Sequence, residues 1–370
     1  MLYPRAQVEY EFTNRGNTPF PDGFASRLKI QIEKMASLSL SKKQKTYLED
    51  TCYFLTPVYL DFLETYTYNP GEVSISQDKG TFSLLVKGPW YRAILWEVPL
   101  MALISEIFFS MTAPGTLPLK NIKTINKGKA AILAENNVRF ADFGTRRRFS
   151  SVTHNMLIAD ILSNENNTLI GTSNVHLAKK FNIKPIGTMA HEWVMFHAVL
   201  VGYKMANTLA KDAWIQVFKG DLGIILTDTY TTDIFLSSFD TYNAKLFDGV
   251  RHDSGDPISF IKKIIHHYKK HRVDPTTKTI VFSDGLDIDK AVAIHNECNG
   301  KIRDSYGIGT NLTNDVGEIP LNIVIKLSRC QLAPNKPWQH TVKLSDDKGK
   351  NTGNPSEVET CMRILNIPEQ

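Results

Sequence analysis

Val250-Arg251-His252-Asp253-Ser254-Gly255-Asp256-Pro257 decides how this chain is read. An apolar run ends at Val250, a dense polar loop follows, and Pro257 opens a stretch reaching His271 with Ile258, Ile261, Ile264 and Ile265 at helical spacing. Strand, loop and helix in that order make the repeating unit of a parallel sheet. The pattern recurs, with apolar runs ending near Phe140, Ile170, Ile186, Leu226, Val250, Phe282, Ile308 and Ile325. Eight such runs in about 200 residues predict an irregular β/α barrel, with an open doubly wound sheet as the alternative.

Upstream the pattern differs. Val8, Tyr10 and Phe12 alternate with glutamates, and Phe82, Leu84 and Val86 alternate likewise, as half-buried antiparallel strands do. Lys42 to Leu63 reads as helix interrupted at Pro57, and Glu97 to Met111 as an apolar helix. Thr112 to Lys129, rich in Pro, Gly, Lys and Asn, reads as a linker. The expected division is an N-terminal α/β sandwich domain over residues 1–120, a barrel over 121–335, and a C-terminal tail over 336–370 packing back on the first domain.

Composition narrows the partners. The 370 residues are 42% hydrophobic and 22% charged, which excludes a disordered or collagen-like chain. A net charge of +5 is too mild to argue for nucleic acid and suits anionic small molecules equally well. Pro99 to Met111, broken by Ser105 and Glu106, falls short of the roughly 20 residues that span a bilayer. Cys52, Cys298, Cys330 and Cys361 form no Cys-x-x-Cys pair, so a reducing, cytoplasmic setting is expected, with no membrane or nucleic-acid partner.

The run ends carry the chemistry. Four continue as Gly-Thr (Gly144-Thr145, Gly171-Thr172, Gly187-Thr188, Gly309-Thr310), where backbone approaches a ligand closely and free amides suit anions. Such turns are also common without a ligand, and their repetition at one end of the strands is what points to a site. Asp142 to Arg148 sets Phe143 beside Arg146, Arg147 and Arg148, which suits a planar anion as well as a solvated basic turn. Gly187 to Trp193 places His191 at a helix start, as a proton carrier, a nucleophile or a structural histidine. An N-cap role explains Asp256 and leaves Arg251 and Asp253 over; Asp228, ending the run before, adds a carboxylate. Ser283-Asp284-Gly285 and Gly307-Ile308-Gly309-Thr310-Asn311 read as phosphate cradles, each weak alone.

Taken in order over nearly the whole chain, these segments resemble the nicotinate phosphoribosyltransferases, type II phosphoribosyltransferases. The resemblance rests on Val8 to Phe12, Phe143 to Arg148, Gly171 to Asn174, Gly187 to Trp193, Arg251 to Pro257, Ser283 to Asp287 and Gly307 to Asn311. It implies an irregular α/β barrel joined to an N-terminal sandwich, working as a homodimer with the active site at the interface. It also implies transfer of phosphoribosyl from phosphoribosyl pyrophosphate to nicotinate, coupled to ATP, with Mg²⁺. On this resemblance His191 is the phosphorylated histidine, Phe143 stacks on the pyridine and Arg146 lies nearest the base and phosphate. Asp228 and Asp253 face the ribose hydroxyls and Mg²⁺-pyrophosphate, with Arg251 helping to hold substrate. Gly285, Gly309 and Thr310 cradle the 5′-phosphate, and Arg15 and Lys326 grip pyrophosphate. Ser173 stands where the related nicotinamide enzyme carries an aspartate, and a hydroxyl accommodates the acid without repulsion.

Two other readings compete. A different phosphate-handling barrel enzyme, such as a Schiff-base aldolase, would need a strand-end lysine, for which Lys326 is the one candidate. A degenerate paralogue would bind nucleotide or phosphosugar without turnover. Its support is that an Asp-x-Tyr-Lys-like segment, usual ahead of Tyr3-Pro4 in this family, has no counterpart in the sequence.

Overall fold

The computed structural model describes residues 2–113 and 118–368. Its strands are β1 (Gln7–Asn14), β2 (Val73–Asp78), β3 (Thr81–Pro89), β4 (Phe140–Asp142), β5 (Leu169–Thr172), β6 (Ile224–Leu226), β7 (Gly249–His252), β8 (Thr279–Phe282), β9 (Arg303–Ile308), β10 (Ile323–Gln331) and β11 (Gln339–His340). They form an antiparallel sheet in the order β11-β10-β1-β3-β2 and a parallel sheet in the order β5-β4-β9-β8-β7-β6.

Six of the eight anticipated runs are the six parallel strands. The run near Ile186 contributes one parallel bridge, Thr172 with Pro185, which extends the sheet beyond β5. Among the described residues no pairing links that bridge to β6, so the ring is hydrogen-bonded as an arc. The run near Ile325 differs: as β10 it pairs antiparallel with β1, Val8 opposite Cys330, in the other sheet. The loop-to-helix reading of residues 250–271 holds in detail. Asp256 caps the helix Pro257–Lys270 by accepting from the Ser259 N–H at 2.8 Å, and Phe260, Ile261, Ile264 and Tyr268 form its buried face. Such a cap is worth about 1 kcal/mol.

Two cores result. One surrounds the parallel sheet through Phe140, Val250, Ile280, Phe282 and Ile308. The other joins Val8, Tyr10, Phe82 and Val86 of the antiparallel sheet to Trp96, Leu100, Ile104 and Phe108. The helical run Trp90–Thr112 is long and apolar enough to cross a membrane, being longer than the stretch weighed in the sequence, but here it is the core helix of that sheet. The helix His191–Val201 lies between the cores, giving Val194 and Ala198 to the first and Met195 and Phe196 to the second. Burial on both sides fixes the position of its first residue.

Three expectations need correction. The linker is largely helix, Leu119–Glu135, because Ile122, Asn126, Ala130 and Leu133 recur on one buried face; residues 114–117 of that reading lie outside the described residues. Residues 323–331 join the antiparallel sheet, not the barrel. The tail adds β11 to that sheet, but Val342, Leu344, Cys361, Met362 and Leu365 are buried in the parallel-sheet core. Burial of these side chains, absent from a merely polar tail, sends it there.

Candidate active site

Every loop singled out in the sequence leaves the C-terminal end of a parallel strand or the Pro185 bridge, the end at which sites of this architecture gather. His191 is the first residue of its helix. Its Nδ1 lies 3.1 Å from Thr229 Oγ1, and its Nε2 lies 3.0 Å from Asp253 Oδ2, 2.9 Å from Lys343 Nζ and 3.7 Å from Asp228 Oδ1. Asp253 Oδ1 accepts from Arg251 Nη2 and from Ser283 Oγ, both at 2.7 Å. Arg251 is itself fixed, donating from Nε to Ser283 Oγ and from Nη1 to Thr188 Oγ1, each at 2.8 Å. Asp228 Oδ2 accepts from Ser254 Oγ at 2.6 Å and pairs with Lys343 at 3.2 Å, while its Oδ1 is buried without a partner.

The charges set one another. Burial lowers the His191 imidazole below its usual value; Asp228 draws it back and Lys343 pushes it down again. Burial pushes the Asp253 carboxyl up, but Arg251 and His191 outweigh that and hold it well below the carboxylate range. Asp228 behaves likewise under His191 and Lys343. Burial thus works against the charged imidazole while both carboxylates work for it. Nε2 can accept from Lys343 or, when protonated, donate to Asp253 Oδ2, and the form with its proton on Nδ1, toward Thr229 Oγ1, is the one a nucleophile needs.

Donor atoms of His191, Asp228 and Asp253 all lie within 4.8 Å of one another. Mg²⁺ takes oxygen donors, so the fit is to the two carboxylates, above all the unpartnered Asp228 Oδ1, and not to the imidazole.

The neighbouring loops form the rest of the cleft. Phe143 donates its N–H to Ile308 O at 2.9 Å, and its ring lies against Gly307, where a Cβ would come within 2.4 Å of ring carbon Cδ2. Ser173 is exposed at the end of β5, with its N–H on Asp142 O at 2.8 Å. The three arginines diverge, contrary to a joint grip. Arg146 Nη1 pairs with Glu97 at 2.8 Å and Arg148 with Glu106 at 3.2 Å, both on the long core helix. Arg147 is held below its usual value by burial, Arg146 and Arg15, with Asp253 opposing, which sets it among the site's charges.

Lys326 donates to Thr352 Oγ1 at 2.7 Å, and burial, Arg15 and Lys343 push its ammonium down to about 7. Arg15 follows β1 at the exposed surface. Gly285 has a left-handed φ of 52° with open space around it, and Gly309 precedes the short helix Thr310–Thr313. His191, Asp228, Asp253 and Arg251 are thus brought into direct contact, whereas Phe143, Ser173, Gly285, Gly309 and Thr310 line separate loops.

Sequence reasoning gave no site role to Lys343, Thr229 or Ser254. The signal for Lys343 was its flanks, Val342 and Leu344, which are fully buried and hold it over the site.

Comparison with known proteins gives this geometry its relatives. The nicotinate phosphoribosyltransferase (NAPRTase) family matches residues 138–369, and the N-terminal domain of that family matches residues 1–105. A nicotinate phosphoribosyltransferase of Desulforapulum autotrophicum is 66% identical over 99% of this chain and 94% of its own length. That of Chromohalobacter salexigens is 47% identical over 98% and 93%. A crystal structure of the Porphyromonas gingivalis nicotinate phosphoribosyltransferase superposes with a TM-score of 0.96 at 43% identity, covering 99% of this chain and 95% of that one. With both sheets, both cores and the strand-end loops inside these matches, the chain belongs to the nicotinate phosphoribosyltransferase family.

Proposed function

We propose that this protein transfers the phosphoribosyl group of phosphoribosyl pyrophosphate to nicotinate, giving nicotinate mononucleotide and pyrophosphate, with ATP hydrolysis coupled to the transfer. The bond from the pyridine nitrogen to the anomeric carbon forms as the bond from that carbon to pyrophosphate breaks. Positive charge builds on the sugar and negative charge on the leaving group, so catalysis rests on placed charges. The observation that carries the reading is the contact of His191 Nε2 with Asp253, Asp228 and Lys343 at the ends of β6 and β7. The alternative of binding without turnover has no support among the relatives, which are named as the enzyme.

Within this reading Phe143 stacks on the pyridine, and Ser173 and Arg146 meet its carboxylate, for which Glu97 is Arg146's present partner. Asp228 and Asp253 face the ribose hydroxyls, and Arg251 holds Asp253 in place. Gly285, Gly309 and Thr310 take the 5′-phosphate, and Arg15 and Lys326 the pyrophosphate. Mg²⁺, held by Asp228 and Asp253, supplies charge neutralisation on pyrophosphate when bound. His191 Nε2 accepts the γ-phosphoryl group of ATP as its bond to the departing ADP breaks, Lys343 beside it offsets the added charge, and water later takes the group as inorganic phosphate. A homodimer whose second subunit covers the exposed Arg146 and Ser173 completes the site.

Pyrophosphate release, measured with nicotinate or nicotinamide and with or without ATP, tests this. Turnover with nicotinate that rises with ATP, and loses that rise in His191→Asn, is expected. Equal turnover of nicotinamide, or full ATP stimulation in the variant, overturns the assignment.

A further inference from the structure

Asp142 is fully buried and plays no part in the chemistry above, yet it touches both loops assigned to the base. Its Oδ1 accepts the Gly144 N–H at 2.8 Å, one residue beyond Phe143. Its Oδ2 accepts Thr172 Oγ1 at 2.6 Å, one residue before Ser173, and lies 2.7 Å from His154 Nε2. Its main-chain oxygen takes the Ser173 N–H at 2.8 Å. Thr172 Oγ1 in turn receives the Asn174 N–H at 3.0 Å, and Asn174 Nδ2 reaches Thr145 Oγ1 at 3.3 Å, closing the link from the second loop to the first.

We infer that Asp142 is a positioning residue for the base: it holds the Phe143 turn and the Ser173 loop at the separation that lets one ring and one hydroxyl meet the same nicotinate. This rests on the proposed reaction and deepens it.

The side-chain chemistry supports a specific device. Oδ1 and Oδ2 both accept, from three donors on three elements, which a carboxylate can do and an amide cannot, since one amide position would itself be a donor. The far side of the turn is fixed independently. Thr313 Oγ1 donates to Gly144 O at 2.9 Å, and a Cβ on Gly144 would come within 2.1 Å of Thr313 Cγ2. With that wall immovable, the spacing of the cleft is set at Asp142. A pocket that grips a small planar acid by few contacts loses affinity when one of them drifts.

Asp142→Asn is the direct test, and Thr172→Val, which keeps shape and removes both the donor to Asp142 and the acceptor for the Asn174 N–H, serves should the first variant not fold. Steady-state kinetics of pyrophosphate release, varying nicotinate and phosphoribosyl pyrophosphate separately, read the effect. Thr172→Val is expected to raise KM for nicotinate about five- to tenfold with KM for phosphoribosyl pyrophosphate within twofold, the scale of one ordinary hydrogen bond lost. An unmoved nicotinate KM, or equal rises for both substrates, overturns the positioning role while leaving the proposed function standing. If the unaltered chain neither binds nor turns over nicotinate, the proposed function falls and this inference with it.

Discussion

At the ends of β4 and β5 one carboxylate, Asp142, is enclosed with both oxygens occupied; at the ends of β6 and β7, Asp228 and Asp253 share a histidine, a lysine and an arginine, and Asp228 Oδ1 has no partner. Both clusters are built from acid and imidazole, and their difference lies in surplus. In the first, both carboxylate oxygens are occupied, and the one unpartnered group is the buried His154 Nδ1. In the second, His191 Nε2 is within reach of both a donor and two acceptors that it cannot satisfy together, so arriving charge can rearrange it. One cluster holds shape, and the other can exchange partners.

The largest effect should come from breaking the exchanging cluster. Asp253→Asn removes the charge that Arg251 and His191 both face and turns one of its two oxygens into a donor, and kcat/KM should fall about 10²–10³-fold, or about 3–4 kcal/mol, by steady-state assay. At the enclosed cluster the cost should appear as stability. Asp142→Asn should lower the unfolding free energy by about 2 kcal/mol in a urea titration, and a loss as small as that of a surface substitution would mean the hub is slack.

Lys343→Met sharpens the comparison, since Lys343 pushes the His191 imidazole down. Without it the imidazole stays protonated to higher pH, so the acidic limb of the pH–rate profile should move upward while ATP-stimulated turnover falls about tenfold.

The smallest effect concerns Glu192, next to His191, whose carboxyl is pushed up to about 8 by burial and Glu97. Below its ordinary value, about 4.3, both folded and unfolded chains hold the proton and stability is full. As pH rises toward 8 the unfolded carboxyl ionises first, so stability drains away across that window. Glu192→Gln should remove this slope and leave the variant more stable than the parent at pH 8, read from paired thermal melts.

The strand-end loops were legible because parallel strands buried on both faces write themselves as apolar runs, and the polar residues that follow have little else to do. Arg251 and Asp253 could be singled out because Asp256 was already accounted for as a cap, which it is. The place of β10 was not legible: its run looks like the others, and its sheet is chosen by a partner strand at the opposite end of the sequence. Lys343 was hidden by its neighbours' composition, since Lys348, Lys350 and the asparagines outweighed two buried residues in any window average. The divergence of Arg146 and Arg148 depends on Glu97 and Glu106, which no local spacing connects to them.

The pairing of β1 with β10 has a consequence for how the chain is made. β1 lies at the centre of its sheet, between β3 and β10, and is made about 300 residues before the second of them. Its second neighbour, residues 323–331, follows on the order of tens of seconds later at roughly 5–20 residues per second. Throughout that interval one edge of β1, carrying Val8 and Tyr10, stands open to any passing strand. Nascent chains of this protein are therefore exposed to mispairing until residues 323–331 are made, and a stall before residue 323 would leave a product with every strand of the parallel sheet and an unsealed antiparallel one.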